Sequence, residues 1–246
     1  RDVERSRGLG DVYKRQVSYK SSEYAKDMGT PERYRRVQED YNSGICDAKN
    51  LANKQKAIFL DRDGTINEYV GFLRKEEDFR LIPGVSEAIK KINNSGYLAI
   101  VVTNQPVIAR GEVTEEELEE IHKKMETLLG LDGAYIDDIY YCPHHPDKGF
   151  EGEIPELKIE CDCRKPKTGM LEKAAREHNI NLSSSIMIGD STLDIKMAEN
   201  AGMQSVLLKT GQKGEDGKYD VSPTLIAEDL NDAINKIICK KASKKL

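Results

Sequence analysis

Two aspartates separated by one residue stand directly after a short apolar run in this chain of 246 residues. The run is 57–60, the carboxylates are Asp61 and Asp63, and a Gly-Thr pair follows at once. Because alternate residues of an extended chain point to the same side, both carboxylates are predicted to face one site, with Arg62 pointing away. Gly64 lets the backbone turn sharply after them. One carboxylate could attack as a nucleophile while the other transfers protons.

Three more polar motifs lie farther along the chain, at or near the ends of predicted elements. They are Thr103-Asn104-Gln105, Cys163-Arg164-Lys165-Pro166, and Gly189-Asp190 with Asp194 four residues on. Short hydroxyl and amide groups can hold phosphoryl oxygens, and a lysine can neutralise clustered carboxylates. Aspartates that pack together repel one another unless a cation lies between them. Asp61, Asp63 and Asp190 therefore indicate a divalent cation such as Mg²⁺.

The elements that must position these motifs follow from the apolar pattern. From residue 56 onward, short apolar runs alternate with amphipathic ones, which indicates an α/β fold with a parallel sheet and flanking helices. Strands are predicted at 57–60, 97–103, 138–142, 185–188 and 205–208, with helices after Pro83-Gly84, Thr114, Thr168, Ser191 and Ala227. Because the carboxyl ends of parallel strands meet at one edge of the sheet, we expect the motifs to lie close together there.

The four motifs, in this order, resemble those of the haloacid dehalogenase (HAD) superfamily. The resemblance implies a Rossmann-like fold and an aspartyl-phosphate intermediate, in which Asp61 attacks phosphorus, Asp63 is the general acid and base, and Lys165 neutralises charge. The remaining roles that it implies are phosphoryl or substrate contact for Thr103, Asn104, Gln105 and Arg164, Mg²⁺ ligation for Asp61, the backbone oxygen of Asp63 and Asp190, and orientation of the site for Asp194.

A second ligand set lies between residues 142 and 163. Three thiols and an imidazole suit tetrahedral Zn²⁺, and this segment has little apolar content to order it otherwise. The ligands are Cys142, Cys161, Cys163 and, by the family pattern, His144 rather than His145. A free-thiol cluster and a disulfide between two of the cysteines are the alternatives. Because Cys163 directly precedes Arg164 and Lys165, a bound metal would hold that pair in place.

The motifs DRDGTIN, TNQ, CPHHP, CDCRKP and IGDSTLD together resemble the zinc-containing phosphatases of HAD subfamily IIIA, over roughly residues 56–210. This group includes heptose 1,7-bisphosphate 7-phosphatases and histidinol-phosphate phosphatases. It lacks a large cap domain, so the zinc-binding loop and the segment from Tyr69 to Phe72, with those two side chains as contacts, are expected to select the substrate. One departure is that Pro106-Val107 replaces the family's Ser-Gly after Gln105.

The sequence before residue 53 is interpreted as two pieces. The string at 11–16, DVYKRQ, resembles one translation frame of a transposase adapter used for DNA libraries, so residues 1–16 are interpreted as artefactual. Residues 17–50 are interpreted as the end of a nucleotidyltransferase domain plus a linker, because DMGTPERY resembles the closing segment of sugar-nucleotide nucleotidyltransferases. Thr30 would cap a helix that begins at Pro31. Residues 53–241 form the predicted phosphatase domain.

The fused partner decides between the substrates. Removing the 7-phosphate of D-glycero-D-manno-heptose 1,7-bisphosphate leaves a sugar 1-phosphate, which a nucleotidyltransferase could activate for surface-polysaccharide synthesis. Histidinol phosphate offers no such link and remains the alternative substrate, and a non-catalytic zinc scaffold is the alternative of another class. A DNA 3′-phosphatase is disfavoured because no basic stretch interleaved with aromatic residues is evident.

Composition excludes several other classes. The formal net charge of −5 argues against a large nucleic-acid footprint. The longest apolar run, 97–102, is far shorter than the roughly 20 residues that span a bilayer, so no membrane association is expected. Five cysteines, an odd number with three of them close together, fit a reducing cytoplasm better than a disulfide framework.

Overall fold

Both faces of the central strand are buried, and this determines the layers of the fold. In β1 (Ala57–Leu60), Ile58 and Leu60 pack into the apolar layer on one face of the sheet. Ala57 and Phe59 pack into the layer on the other face, and all four side chains are fully buried. Strands that are apolar on both faces are typical of parallel sheets covered by helices on both sides. The computed structural model describes residues 23–242, with side chains up to residue 238, so residues 1–22, including the interpreted artefact, lie outside the description.

Within residues 23–242, the sheet has six parallel strands in the order β3-β2-β1-β4-β5-β6. Besides β1, they are β2 (Leu98–Asn104), β3 (Asp138–Cys142), β4 (Ile186–Gly189), β5 (Gln204–Leu208) and β6 (Leu225–Ala227). Phe59 pairs with Ile100 on one side and with Met187 on the other. The chain thus goes from β1 to β2 on one side and later returns to β4 on the other side. The loops that leave β1 and β4 diverge and open a crevice between them.

Helices cover both faces of this sheet. In chain order they are α1 (Pro31–Asn42), α2 (Ile45–Ala48), α3 (Val85–Asn93), α4 (Pro106–Ala109), α5 (Glu115–Leu131), α6 (Gly169–Glu177), α7 (Thr192–Asn200) and α8 (Leu230–Ala242). Helices α3, α5 and α8 pack on one face, and α6 and α7 on the other. The predicted strands and helices are confirmed, with strand ends shifted by one residue at most. Strand β6 and the four-residue helices α2 and α4 were not predicted, because segments of three or four residues carry too little periodicity; α2 lies in the stretch interpreted as a linker.

The carboxyl edge of the sheet stays open. Between β1 and β2 the described chain forms a 3₁₀ turn, Glu76–Asp78, and α3. Between β3 and α6 it forms a long loop with one 3₁₀ turn, Pro155–Leu157. In this part of the chain no cap domain covers the edge, as the family resemblance implied. None of the described helices is both long and apolar enough to cross a bilayer.

The segment before the sheet packs at the opposite edge. Helix α1 begins as predicted, with Thr30 Oγ1 accepting a hydrogen bond from the Arg33 amide at 3.3 Å. Lys49 is 6% exposed, and its Nζ donates to the Tyr135 hydroxyl at 2.6 Å and lies 3.8 Å from Asp137 Oδ1. Tyr135 and Asp137 directly precede β3, so this contact lies at the amino ends of the strands. The assignment of residues 17–50 to another domain stays a prediction.

Candidate active site

Three carboxylates meet where the strand order reverses. Asp61 follows β1, Asp190 follows β4, and Asp194 lies in the first turn of α7. One oxygen from each lies within 4.8 Å of the other two, and all three residues are buried. The parallel sheet thus joins residues that are 133 positions apart in the chain (194 − 61) at one point. The crevice at this point is where α/β sheets of this topology bind ligands.

One lysine neutralises part of this charge. Lys165 is 4% exposed, and its Nζ lies 2.8 Å from Asp61 Oδ1 and 2.7 Å from Asp194 Oδ1. It also donates to the Val102 carbonyl at 3.1 Å, so all three donors of the ammonium group are used. Burial alone lowers the pKa of a lysine, but the two aspartates raise it above its ordinary value. The group is therefore a fixed positive charge beside Asp61.

The positive charge of Lys165 does not balance the negative charge of the three carboxylates. Burial raises the pKa of Asp61 to about 7 against the attraction of Lys165, and repulsion from Asp194 adds to the rise. Burial, then repulsion from Asp61 and Asp194, raises the pKa of Asp190 to about 8. These shifts show that negative charge is in excess in a buried site. Carboxylate oxygens are the ligands that Mg²⁺ prefers, so Asp61 and Asp190 fit such a cation.

Asp194 is held by its neighbours and is less free to bind a metal. Its Oδ1 accepts from Lys165, and its Oδ2 accepts from the Ser191 amide at 3.2 Å and the Ser191 hydroxyl at 2.7 Å. The bond from the Ser191 amide is one half of the capping box at the start of α7. Gly189 leaves room for this carboxylate, because a β-carbon there would lie 2.3 Å from Asp194 Cγ. The geometry agrees with an orienting role for this residue.

Asp190 lies in a slot between two glycines. A β-carbon at Gly64 would lie 2.2 Å from Asp190 Oδ2, and one at Gly211 would lie 2.0 Å from it. Both glycines have positive φ, +83° and +52°, so backbone conformation and space require glycine at each position. The Gln212 amide donates to the same oxygen at 2.6 Å. The loop after β5, for which no role was predicted, therefore shapes the site.

Asp63 faces a buried guanidinium. Arg62 is fully buried, and its Nη2 lies 2.8 Å from Asp63 Oδ2 and 3.1 Å from Gln105 Oε1. The prediction that Arg62 points away from Asp63 is wrong. The amides of Ile66 and Asn67 both bond to the Arg62 carbonyl, so the chain turns here and strict alternation no longer applies. Sequence reasoning therefore missed Arg62 as part of the site.

The same network holds the Asp63 carboxylate in its ionised form. Gln105 Nε2 donates to Oδ2 and Asn67 Nδ2 donates to Oδ1, both at 3.0 Å. Although burial acts to raise the pKa of Asp63, Arg62 and these amides together lower it below its ordinary value. Behind them, His122 Nε2 lies 3.3 Å from Arg62 Nη1, and burial with the Arg62 charge lowers the pKa of His122 to about 3. A neutral imidazole thus supports the guanidinium.

A cleft of about 220 Å³ opens above Asp61, and the predicted substrate contacts line it. They are Tyr69, Phe72, Thr103, Asn104, Gln105 and Arg164. Asn104 also holds the neighbouring chain, since its Oδ1 accepts from the Lys165 amide at 3.0 Å and its Nδ2 donates to the Lys165 carbonyl at 3.3 Å. Arg110 and His145, which were not predicted, line the same cleft. The Arg110 guanidinium stacks on Phe72 with its Cζ 4.2 Å from the ring centroid.

The three thiols and the imidazole of the second ligand set also come together. The sulfurs of Cys142, Cys161 and Cys163 lie 3.2–3.5 Å apart, and His144 Nδ1 lies 3.3 Å from Cys163 Sγ. Metal–sulfur bonds of about 2.3 Å place tetrahedral sulfurs roughly 3.8 Å apart, so the donor set fits Zn²⁺ with a small expansion. The hydrogen bond between Cys163 and Cys142 lowers the pKa of Cys163 to about 5.

This thiol cluster is joined to the cleft. Arg164 directly follows the last cysteine, and its Nη1 donates to the His144 carbonyl at 3.0 Å. Gly169 lets the start of α6 pack directly against the chain at Asp162, because a β-carbon there would lie 2.5 Å from the Asp162 carbonyl oxygen. The position of the cationic side chain therefore depends on the shape of the cluster.

The fold and the site define an HAD-type hydrolase. The family model described as HAD-hydrolase-like matches residues 162–233. The D-glycero-beta-D-manno-heptose-1,7-bisphosphate 7-phosphatase of Haemophilus ducreyi is 44% identical over 160 residues, covering 64% of this chain and 85% of that protein. The D-glycero-alpha-D-manno-heptose-1,7-bisphosphate 7-phosphatase of Photorhabdus laumondii is 43% identical, covering 65% and 85%.

A solved structure agrees with these relatives. The D,D-heptose 1,7-bisphosphate phosphatase of B. bronchiseptica, crystallised with magnesium and phosphate, superposes with a TM-score of 0.67 at 31% identity. The match covers 76% of this chain and 99% of that one. The chain belongs to the family of D-glycero-D-manno-heptose-1,7-bisphosphate 7-phosphatases. Relatives of both anomeric specificities match almost equally well, so likeness alone does not assign the anomer.

Proposed function

We propose that this protein removes the 7-phosphate of D-glycero-D-manno-heptose 1,7-bisphosphate, in the synthesis of nucleotide-activated heptose. The observation that carries the proposal is one cleft with two sets of charge. Asp61, Lys165 and Asp190 form the reacting end, and Arg110 and Arg164 line the same cleft. A substrate with two phosphates meets both sets, one at the reacting carboxylate and one at the guanidinium groups.

The nucleophile is the free oxygen of Asp61. Its Oδ1 accepts from the Arg62 amide at 2.7 Å and from Lys165 at 2.8 Å, whereas Oδ2 has no hydrogen-bond donor among the described residues. Attack by Oδ2 forms a bond to phosphorus while the bond from phosphorus to the sugar O7 breaks, and the leaving oxygen takes a proton from Asp63. A water molecule then gives its proton to Asp63 and attacks phosphorus. This step breaks the bond to Oδ2 and releases phosphate.

The protonation state of Asp63 depends on whether substrate is bound. The carboxylate form held by Arg62, Gln105 and Asn67 is the one that accepts a proton in the second step. The first step needs the carboxylic acid. A dianionic phosphate placed beside Asp63 raises the pKa of that carboxyl by like-charge repulsion, so substrate binding favours the form that donates.

Two metals would complete this site. Asp61, Asp190 and the backbone oxygen of Asp63 would hold Mg²⁺, which would supply positive charge to the phosphate during transfer. Cys142, His144, Cys161 and Cys163 would hold Zn²⁺, which would order the loop that carries Arg164. The clustering of Asp61 with Asp190, and of the three thiols with the imidazole, supports these assignments. The second metal has a structural role, because four protein ligands leave it no open position.

The origin of the first residues is a separate part of this proposal. We infer that residues 17–50 are the end of a nucleotidyltransferase domain plus a linker, and that this domain would activate the sugar 1-phosphate product. The capped helix α1 and its DMGTPERY sequence support this. The full-length genomic reading frame tests it: an upstream nucleotidyltransferase sequence in frame is expected, and a start codon close to residue 23 would contradict it.

The test of the activity is phosphate release by the whole chain with Mg²⁺. We expect kcat/KM for one anomer of heptose 1,7-bisphosphate to exceed that for histidinol phosphate by at least 100-fold, since two charged contacts are lost with the latter. A preference for histidinol phosphate would overturn the substrate and leave the aspartate chemistry in place. No phosphate release from either compound would favour the scaffold alternative.

A further inference from the structure

The loop between β5 and β6, residues 209–224, crosses the reacting edge of the sheet. Thr210 Oγ1 donates to the Gly64 carbonyl at 2.6 Å. The amides of Gln212 and Gly214 donate to the Asp190 side chain and carbonyl, at 2.6 and 2.7 Å. A loop tied in this way to the turn after Asp63 and to a metal-binding carboxylate is part of the wall of the site.

Two side chains from this loop line the cleft, Gln212 and Lys218. Gln212 Nε2 donates to the Tyr69 hydroxyl at 2.7 Å and so joins the loop to the segment predicted to select the substrate. Lys218 is exposed. Among side chains of residues 23–238 its ammonium group has no partner in a hydrogen bond or ion pair. An unpaired cation at the rim of an anion-binding cleft is available to a ligand.

The strand order places Lys218 on the side of Asp61 that is opposite to Arg110 and Arg164. Arg110 and Arg164 come from the chain after β2 and after β3, on one side of β1. Lys218 comes from the chain after β5, on the other side. A phosphorylated sugar that enters between the two walls can therefore be contacted by cations from both sides.

We propose that the 209–224 loop is a substrate-recognition element. Lys218 contacts the phosphate that is not transferred, and Gln212 acts as a positioning residue that holds Tyr69 against the sugar. The inference rests on the proposed function, because it requires a substrate with a second phosphate. It adds a wall that no sequence motif indicated and that lies outside the segment 69–72 and the thiol loop.

Lys218→Gln tests the charge contact. We expect kcat/KM for heptose 1,7-bisphosphate to fall about tenfold, mainly through KM, as the loss of one charge-assisted hydrogen bond predicts. For heptose 7-phosphate, which lacks the second phosphate, kcat/KM should change less than about twofold. Lys213→Gln is the matched control, because Lys213 is an exposed lysine of the same loop that does not line the cleft. Equal losses on both substrates, or equal effects of the two variants, would overturn the contact.

A second measurement separates this inference from the proposed function. Inhibition of p-nitrophenyl phosphate hydrolysis by fructose 1,6-bisphosphate and by fructose 6-phosphate reports the contact to a second phosphate without any heptose. In Lys218→Gln the inhibition constant of the bisphosphate should rise severalfold while that of the monophosphate stays the same. An unchanged ratio refutes the role of Lys218. A changed ratio supports that role even in an enzyme that rejects heptose bisphosphate.

The positioning role has its own test in a double-mutant cycle. Gln212→Ala and Tyr69→Phe each remove one side of the 2.7 Å hydrogen bond. If the bond positions Tyr69, each variant raises KM for the sugar bisphosphate several-fold, and the double variant is no worse than either one. Rescue by Gln212→Asn or Gln212→Glu would support the bond. Additive losses would mean that the two side chains act independently, against the proposal.

Discussion

The carboxylate cluster in the cleft and the thiol cluster joined to it through Arg164 are held in different ways. Each carboxylate of the reacting cluster follows or caps a regular element, and Lys165 lies among the carboxylates at hydrogen-bond distance. The thiol cluster has one buried ligand, Cys142, at the end of β3. Its other three ligands are half-buried and lie in the loop between β3 and α6, which contains one described 3₁₀ turn. The first cluster is built by the sheet and the start of α7, whereas the second depends mainly on the loop.

The difference predicts what each metal does for the protein. Without Mg²⁺, the carboxylates keep their lysine, their capping box and their glycine slot, so the fold stays intact and only charge remains in excess. Without Zn²⁺, the loop loses the bonds that substitute for a hydrophobic core. We therefore expect one metal to be needed for reaction alone and the other for both structure and reaction.

The largest effect on kcat should come from a substitution in the carboxylate cluster that leaves the thiol cluster unchanged. Asp61→Asn keeps the size of the side chain and removes the nucleophile, so kcat should fall on the order of 10⁴-fold. Zinc content should stay near that of the parent protein, because the thiol cluster does not contact this residue. Asp220→Asn, at an exposed position, is the control and should leave kcat unchanged. Substantial residual turnover in Asp61→Asn would remove the covalent mechanism.

Disrupting the thiol cluster should affect both structure and reaction. Cys142→Ser removes a buried ligand, so zinc content should fall, the melting temperature should drop, and kcat/KM should decline about 10- to 100-fold, as when the support of a site is lost. The decline arises because Arg164 is fixed through the His144 carbonyl. Cys46→Ser is the control, since Cys46 lies outside the cluster. Metal analysis, thermal melts and kinetics check these outcomes, and a zinc-free protein with full turnover would refute them.

How much of this could be foreseen depends on distance along the chain. The strands, the flanking helices and the three clustered cysteines follow from apolar period and motif spacing, whereas the choice of His144 over His145 came from the family resemblance. The structure brings these four ligands together. The role of Arg62 could not be foreseen, because alternation fails at the turn that starts there. The 209–224 loop carries no motif, and its bonds to Asp190 arise only when β4 and β5 pair.

Arg62 sharpens the comparison, because it supplies Asp63 with a buried counter-charge. Arg62→Met leaves Asp63 beside an apolar side chain, so the protein should lose about 3 kcal/mol of unfolding free energy, as when one partner of a buried ion pair is removed. Turnover should also fall, since Gln105 loses the same partner. Urea unfolding measures the first effect. Arg176→Met, on the exposed face of α6, is the control and should change stability by less than about 0.5 kcal/mol.

The smallest effect is the coupling of Mg²⁺ to protons at the reacting cluster. In the metal-free protein the pKa values of Asp61 and Asp190 are raised to about 7 and about 8. A carboxyl whose folded pKa is raised binds its proton more tightly folded than unfolded. Stability therefore falls as pH rises from about 4 to about 8 and levels off above that range. Mg²⁺ competes with these protons and relieves the repulsion, so it binds more tightly at pH 8.5 than at pH 6.

Saturating Mg²⁺ should consequently raise the melting temperature more at pH 8.5 than at pH 6, by about 3 °C, which corresponds to roughly 1 kcal/mol for a domain of this size. Zn²⁺ content must stay constant in both measurements, so that the difference belongs to the carboxylates. In Asp190→Asn one of the two titrating ligands is gone, and the difference between the two pH values should shrink. An equal Mg²⁺ effect at both pH values would show that the carboxylates are already ionised at pH 6. In that case the lysine and the glycine slot balance the cluster without the metal, and the contrast between the two ligand sets would lie in their burial alone.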